Sequence, residues 1–281
     1  MIGTFWRRHL TGGELEEAED LARACSEYDQ EAGFSRIVPP ALRTGARHLL
    51  VRLDAPAAPL VAYLHLDGAE CGTLIVHPDA RSNGVATAVL ESAGLPGAHG
   101  WAEGHHPAAE RLARRFGCTE RARIWRSVRP LSGPHAAPLP PPAVPLTESA
   151  DPGPARRLWR AAGLPERYRP PGDGSARLLY AGGPGGAPAG YAWLERGTRT
   201  VERLRTGVLR AVVPAVQGAG TGSALAAGAL ALLRDEGVQA VEAGLDPALP
   251  RAVRSARLLG FQRTQDDVLY AVSKPRELGK S

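Results

Sequence analysis

Apolar positions along the chain follow two alternating periods. Short apolar runs of five to seven residues mark strands, and spacing at i, i+3 and i+4 marks helices. Residues 14–26 carry apolar positions at helical spacing with acidic residues between them, which predicts a helix. Residues 47–53 and 60–66 read as two strands joined by an Asp-Ala-Pro-Ala-Ala-Pro turn, and 72–76 as a third, ended by His77-Pro78. A helix at 85–93 follows, then a short strand at 100–103, an amphipathic helix at 107–116 with proline in its first turn, and an alternating strand at 121–128. The second half repeats the order: a helix at 154–162, strands at 176–181, 190–195 and 207–213, the last ended by Pro214. It continues with a long helix at 221–236, a strand at 238–244, a helix at 250–259 and a strand at 267–272.

Between the halves, residues 131–147 hold six prolines, which can continue neither a helix nor a central strand. This pattern predicts an α+β tandem duplication: one domain over 1–131, a Pro-rich linker over 132–143 and a second domain over 144–281.

One loop recurs in both copies, 136 positions apart. It reads Arg81-Ser82-Asn83-Gly84-Val85-Ala86, followed by Thr87, in the first copy and Gln217-Gly218-Ala219-Gly220-Thr221-Gly222 in the second. Each lies between an apolar strand and a helix start. Glycine permits close backbone approach to a ligand, and a helix start leaves N–H groups unpaired and pointing outward, a site suited to a pyrophosphate. Neither loop has the Gly-Lys-Ser/Thr of a nucleotide-hydrolysing P-loop.

Composition sharpens this picture in two respects. Only Lys274 and Lys280 among 34 basic residues are lysine, so the net charge of +5 reflects arginine usage alongside 33 glycines and 25 prolines. The charge is uneven: residues 1–131 sum to −1 and the rest to +6. A series at Arg196, Arg199, Arg203, Arg205 and Arg210 reads as a solvated strand face or as a platform for phosphates. Cys25, Cys71 and Cys118 are far apart and form no Cys-x-x-Cys, which argues against a disulfide scaffold or a zinc ribbon. With no signal-peptide core and no apolar run of roughly 20 residues, the expectation is a cytoplasmic chain with no membrane partner. Glu103, His105 and His106 mimic metal ligands but sit in a turn before Pro107, and no metal is expected.

The two loops, with the stretches Leu74 to Arg81, Trp101 to Ala109, Trp125 to Leu131 and Leu258 to Phe261, resemble the GNAT acyltransferase superfamily, and within it the tandem mycothiol synthases. The resemblance covers most of 45–131 and 187–272. It implies two tandem GNAT-like domains, each a mixed, mostly antiparallel sheet flanked by helices. It also implies acetyl-CoA, or another acyl-CoA, as co-substrate and a small-molecule primary amine as acceptor. The residues it assigns to the cofactor are Val76, Arg81, Ser82, Asn83, Gly84, Val85, Ala86 and Thr87 in one copy, and Val212, Gln217, Gly218, Ala219, Gly220, Thr221 and Gly222 in the other. Val76 and Val212 stand where the backbone meets the thioester. In the relatives a glutamate eleven residues before the loop serves as base in the C-terminal copy. That position is Thr206 here, whereas the N-terminal equivalent is Glu70, the expected catalytic residue. A tyrosine common in relatives is replaced by Ala256, and by Ala113 in the first copy. Two other activities fit the same residues: an aminoacyl-tRNA-dependent aminoacyltransferase that binds tRNA through the basic half, and a catalytically silent CoA-binding protein.

Overall fold

The computed structural model describes residues 2–31, 47–53, 58–66, 71–95, 97–141, 143–183, 186–201 and 203–272. In chain order the first elements are β1 (Ile2–Arg7), α1 (Gly12–Glu31), β2 (Arg47–Leu53), β3 (Leu60–Leu66), β4 (Cys71–Val76), α2 (Val85–Ala93), β5 (His99–Ala102), α3 (Pro107–Arg115) and β6 (Thr119–Pro130). There follow β7 (Leu146–Ser149), α4 (Gly153–Ala161), a 3-10 turn (Glu166–Tyr168), β8 (Ala176–Gly182), β9 (Pro188–Glu195), β10 (Arg199–Val201) and β11 (Leu204–Pro214). The last are α5 (Thr221–Asp235), β12 (Ala240–Leu245), α6 (Pro250–Leu258) and β13 (Gln262–Ala271). They divide into two compact units, one of residues 1–123 with 265–281 and one of 124–264.

In the first unit β1 to β4 pair antiparallel in sequence order, β4 pairs parallel with β5, and β5 pairs antiparallel with β13. Both sheet faces are covered. On one side α1 buries Ala18, Leu21, Ala22 and Cys25 against Leu50, Tyr63 and Ile75. On the other α2 buries Val85 and Val89 against Leu49, Val51, Ala62, Leu64 and Leu66. Coverage on both sides explains why β2 and β3 read as continuous apolar runs rather than alternating ones.

The second unit has the strand order β6-β12-β11-β9-β8-β7, with β10 on β11 and β11–β12 as its parallel pair. Helix α5 lies in the main core, where Leu225, Leu230 and Leu233 meet Leu179, Leu194, Leu209 and Val241. Gly228 lets it approach β7: a Cβ there would stand 2.5 Å from Leu146 Cδ1. The opposite face carries α4 and the 3-10 turn, over Tyr180, Tyr191, Ala211 and Val213. Each unit is therefore a mixed, mostly antiparallel sheet with helices on both faces, the α+β class expected.

Three strands, β1, β7 and the three-residue β10, escape the hydrophobic pattern. β1 was not anticipated, and β7 begins inside the Pro-rich stretch. The copies in sequence and the units in space also differ in membership, because 265–271 belongs with the first unit. Among the described residues no helix is long and apolar enough to cross a membrane.

Candidate active site

Both glycine loops adopt the same backbone course. Ser82 (φ 65°) and Gly84 (φ 78°) in the first, and Gly218 (φ 87°) and Gly220 (φ 78°) in the second, take left-handed conformations two residues apart. Gly84 and Gly220 are the N-caps of α2 and α5, and neither helix receives a side-chain cap. The first-turn N–H groups, of Val85, Ala86 and Thr87 in one unit and Thr221, Gly222 and Ser223 in the other, lack an intrahelical acceptor and face the loop mouth. Such a terminus favours an anion through both its donors and its dipole. These residues fit a pyrophosphate in either unit.

The strands leading to the loops differ. In the second unit the β11–β12 ladder runs from Thr206↔Ala240 to Leu209↔Ala243 and stops. At that point a bulge shifts the β11–β9 register between Leu209 and Ala211. A bulge bends and twists its strand, so β11 parts from β12 beyond Arg210. The β12-facing edge of 210–214 is left without a ladder. Residues 215–220 beyond it are exposed throughout. In the first unit the β4–β5 ladder also stops early, at Gly72↔Gly100, but no bulge accompanies it: β3–β4 pairing runs unshifted from Gly72 to Val76.

The strand end in the first unit is also occupied by its own side chains. Arg81 Nε donates to the Val76 carbonyl at 3.0 Å and Cys25 Sγ donates to it at 3.3 Å. The Arg81 guanidinium then pairs with Asp29 of α1, NH1 to Oδ1 at 2.5 Å and NH2 to Oδ2 at 3.2 Å, and lies 5.4 Å from the Tyr28 ring. Asp29 is buried, which leaves this ion pair little freedom. His106 faces it: burial pushes the imidazole pKa down, opposed by Asp29 and reinforced by Arg81 and Arg111.

The bulge decides which face each position occupies. In β4, without one, 72, 74 and 76 share a face; Leu74 and Val76 pack on the α2 side. Glu70 itself lies outside the described residues. In β11 a Cβ on Gly207 would meet Leu233 of α5, so Thr206 is turned to the α4 side, whereas Val212 packs with the α5 core. Thr206 is buried and its hydroxyl donates to the Leu204 carbonyl at 3.1 Å, a structural role. Ala256 and Ala113 are buried in their helix faces.

The arginine series does not form an open cationic platform. Arg199 pairs with Glu242 at 2.8 Å, Arg210 with Glu195 through Nε at 2.7 Å, and Arg205 donates to the Glu236 carbonyl at 2.7 Å. Arg196 donates to the Gly174 carbonyl at 2.9 Å. Four of the five arginines are so engaged while Arg203 is exposed, and nothing among the described residues supports a tRNA partner. Among the described residues no group of three or more His, Cys, Asp or Glu could hold a metal ion.

Two groups were missed by sequence reasoning. Arg251, near the start of α6, places its NH1 3.7 Å from where a Cβ on Gly218 would stand, so a guanidinium lies beside the loop. The signal was present: a cation in the first turn of a helix opposes the dipole unless it serves another partner. The second is a cleft of about 340 Å³ on the α4 side, lined by Arg167, Ser175, Trp193, Glu195, Arg196 and Arg210.

No family model matches the chain. The mycothiol acetyltransferase of Thermobispora bispora is 34% identical over 92% of this chain and 96% of its own length. That of Sanguibacter keddieii is 33% identical over 93% and 94%. Among solved structures, a GCN5-related N-acetyltransferase from Sphaerobacter thermophilus has a TM-score of 0.63 at 19% identity, covering 98% of both chains. A tandem GNAT protein from the clavulanic acid biosynthesis pathway has a TM-score of 0.64 at 18% identity, covering 96% of this chain and 98% of that one. At those identities the structural likeness speaks for the fold alone.

Proposed function

From a chain that belongs to the mycothiol acetyltransferase family, we propose an enzyme that binds acetyl-CoA in its C-terminal unit and acetylates the free-amine precursor of mycothiol. The general activity is that of the family: an N-acetyltransferase of tandem GNAT fold that moves an acetyl group from acetyl-CoA to an amine of a small metabolite. The observation that carries the finer reading is the parting of β11 from β12 at a bulge that leads straight into an exposed, uncapped glycine loop. The pyrophosphate sits on the N–H groups of Thr221, Gly222 and Ser223, with Gln217 to Gly220 curving around it and Arg251 alongside. Val212 marks the free strand edge where a backbone N–H meets the thioester oxygen as negative charge develops there. The N-terminal loop, Arg81 to Thr87, keeps the conformation, but its arginine is engaged by Asp29 and Val76, so its unit acts as scaffold. A cytoplasmic location is supported by that co-substrate and by three free cysteines.

Acetyl transfer requires an amine to lose a proton, attack the carbonyl and expel a thiolate, which takes up a proton. The parted strands orient the thioester, and Arg167 and Arg210 are each paired with a carboxylate, Asp246 and Glu195. The test uses two isosteric variants at one position with φ of 78°. Asn and Asp both tolerate that left-handed backbone, so they differ in charge alone. Gly220→Asp is expected to weaken acetyl-CoA binding at least about tenfold relative to Gly220→Asn, through a carboxylate set against phosphate. The corresponding pair at Gly84 should bind alike. Equal affinity for the two Gly220 variants, measured by calorimetry, would remove acetyl-CoA from the C-terminal loop.

A further inference from the structure

The base position of the relatives holds Thr206, whose hydroxyl is engaged by Leu204, so the amine's proton must go elsewhere. Across the ladder from β11 runs β9, with Leu194 opposite Leu209 and Trp193 opposite Ala211. That register sets Glu195 beside Val208, on the face that Thr206 shares, one strand away from the missing carboxylate. Trp193 and Glu195 point to the same side by alternation, and Trp193 packs with the α4-side cluster. Arg210, the bulged residue itself, binds Glu195 there. The carboxylate therefore stands where β11 begins to part from β12.

The cleft around it is lined by charged and polar side chains and one indole. Glu195 is its single carboxylate among lining residues that include three arginines. Arg167 is neutralised by Asp246 at 2.5 Å, directly after β12, and so reaches the other arm of the parted pair. Arg196 is satisfied by the Gly174 carbonyl. Among the described residues, Arg210 on β11, Arg167 from the 3-10 turn and Arg196 just beyond β9 are the charged groups that line the cleft with Glu195. Ser175 and the half-buried Trp193 complete the wall, a hydroxyl and a flat apolar face suited to a hydroxylated ring.

We propose that this cleft receives the acceptor and that Glu195 is the catalytic base. The inference rests on acetyl-CoA lying in the C-terminal unit. The acceptor enters as an ammonium and gives one proton to the Glu195 carboxylate. Its nitrogen lone pair forms the N–C bond to the thioester carbonyl. The tetrahedral adduct collapses with cleavage of the C–S bond, the sulfur leaves with that electron pair, and the second nitrogen proton passes to it as free CoA thiol. Glu195 returns its proton to solvent, so the sum is amide, thiol and one released proton.

Glu195→Gln keeps the shape and one hydrogen bond to Arg210 but cannot take a proton. With the desacetyl form of mycothiol as acceptor, kcat/KM is expected to fall roughly 10²-fold near neutral pH and to recover partly in alkali, where the amine deprotonates unaided. Glu195→Asp should retain part of the neutral-pH rate, and acetyl-CoA affinity should be the same in all three proteins. An unchanged rate overturns the proposal, and so does a loss that is constant with pH, which would mark a purely structural role. A loss confined to Glu70→Gln would overturn it as well. These outcomes separate from those of the site itself: a silent Glu195→Gln beside a damaging Gly220→Asp defeats the base assignment alone, whereas equal acetyl-CoA affinity in Gly220→Asp and Gly220→Asn defeats the reading on which it stands.

Discussion

His48, Tyr63 and His65 are buried together in the first unit, with His48 Nδ1 2.7 Å from Tyr63 Oη and the two imidazoles 5.5 Å apart. Burial, then the neighbouring His65 and His9, holds the His48 pKa below its ordinary value, with Glu14 opposing. An unfolded histidine titrates near about 6.5. Below that pH the unfolded chain binds a proton that the folded chain resists, so stability is full above about 6.5 and is lost as pH falls through it. Thermal melts between about pH 7.5 and about 5.5 should show a falling Tm in the wild type and a flatter course in His48→Phe. An equally steep fall in the variant would remove His48 as its cause. What was legible at this scale were residues whose backbone demands declare themselves. Gly84, Gly218 and Gly220 were visible because a left-handed turn before a helix selects glycine. Glu195 was not, since its place depends on a bulge at Arg210 and on a neighbour one strand away, neither of which leaves a mark in local pattern.

Elements with a strong period were found within a few residues, and their ends have chemical causes. His77 and His106 each precede a proline, and each imidazole Nδ1 accepts from a backbone N–H two residues on, of Asp79 at 3.3 Å and of Ala108 at 3.1 Å. The device caps a 3-10 turn in one case and α3 in the other. His106→Ala should cost about 1 kcal/mol, the usual worth of an N-cap, and speed amide exchange in the first turn of α3. Unchanged exchange there would show that the helix start is held by Pro107 alone. β1 and β7 were missed for a common reason. Both are terminal strands of their sheets, with one neighbour each and burial patterns of mixed exposure, so the apolar run that betrays a central strand is absent. β10, three residues long, offers no period to read.

A copy in sequence is not a self-sufficient body in space. The first unit takes its last strand from the end of the chain: Val268 pairs with Ala102, Leu269 with Trp101, Tyr270 with Gly100 and Ala271 with His99. Val268 is fully buried. Gly97 and Ala98 exchange backbone bonds with Val272 at 3.1 and 2.8 Å, Asp267 accepts from the Gly104 N–H at 2.9 Å, and Asp266, itself buried, pairs with Arg123 at 2.9 Å. A fragment of residues 1–131 contains every element of the first copy and none of these partners. It would leave β5 as an edge strand paired with β4 alone and take Asp266 from Arg123, which would keep only Glu120. Losing that ladder and its buried side chain removes several kcal/mol from a domain whose whole stability is on the order of 5–15. The fragment 1–131 is therefore expected to lack a cooperative thermal transition, and a peptide of residues 262–272 added in trans should restore one. A fragment that melts cooperatively without the peptide would make the borrowed strand dispensable and the first copy a domain in its own right.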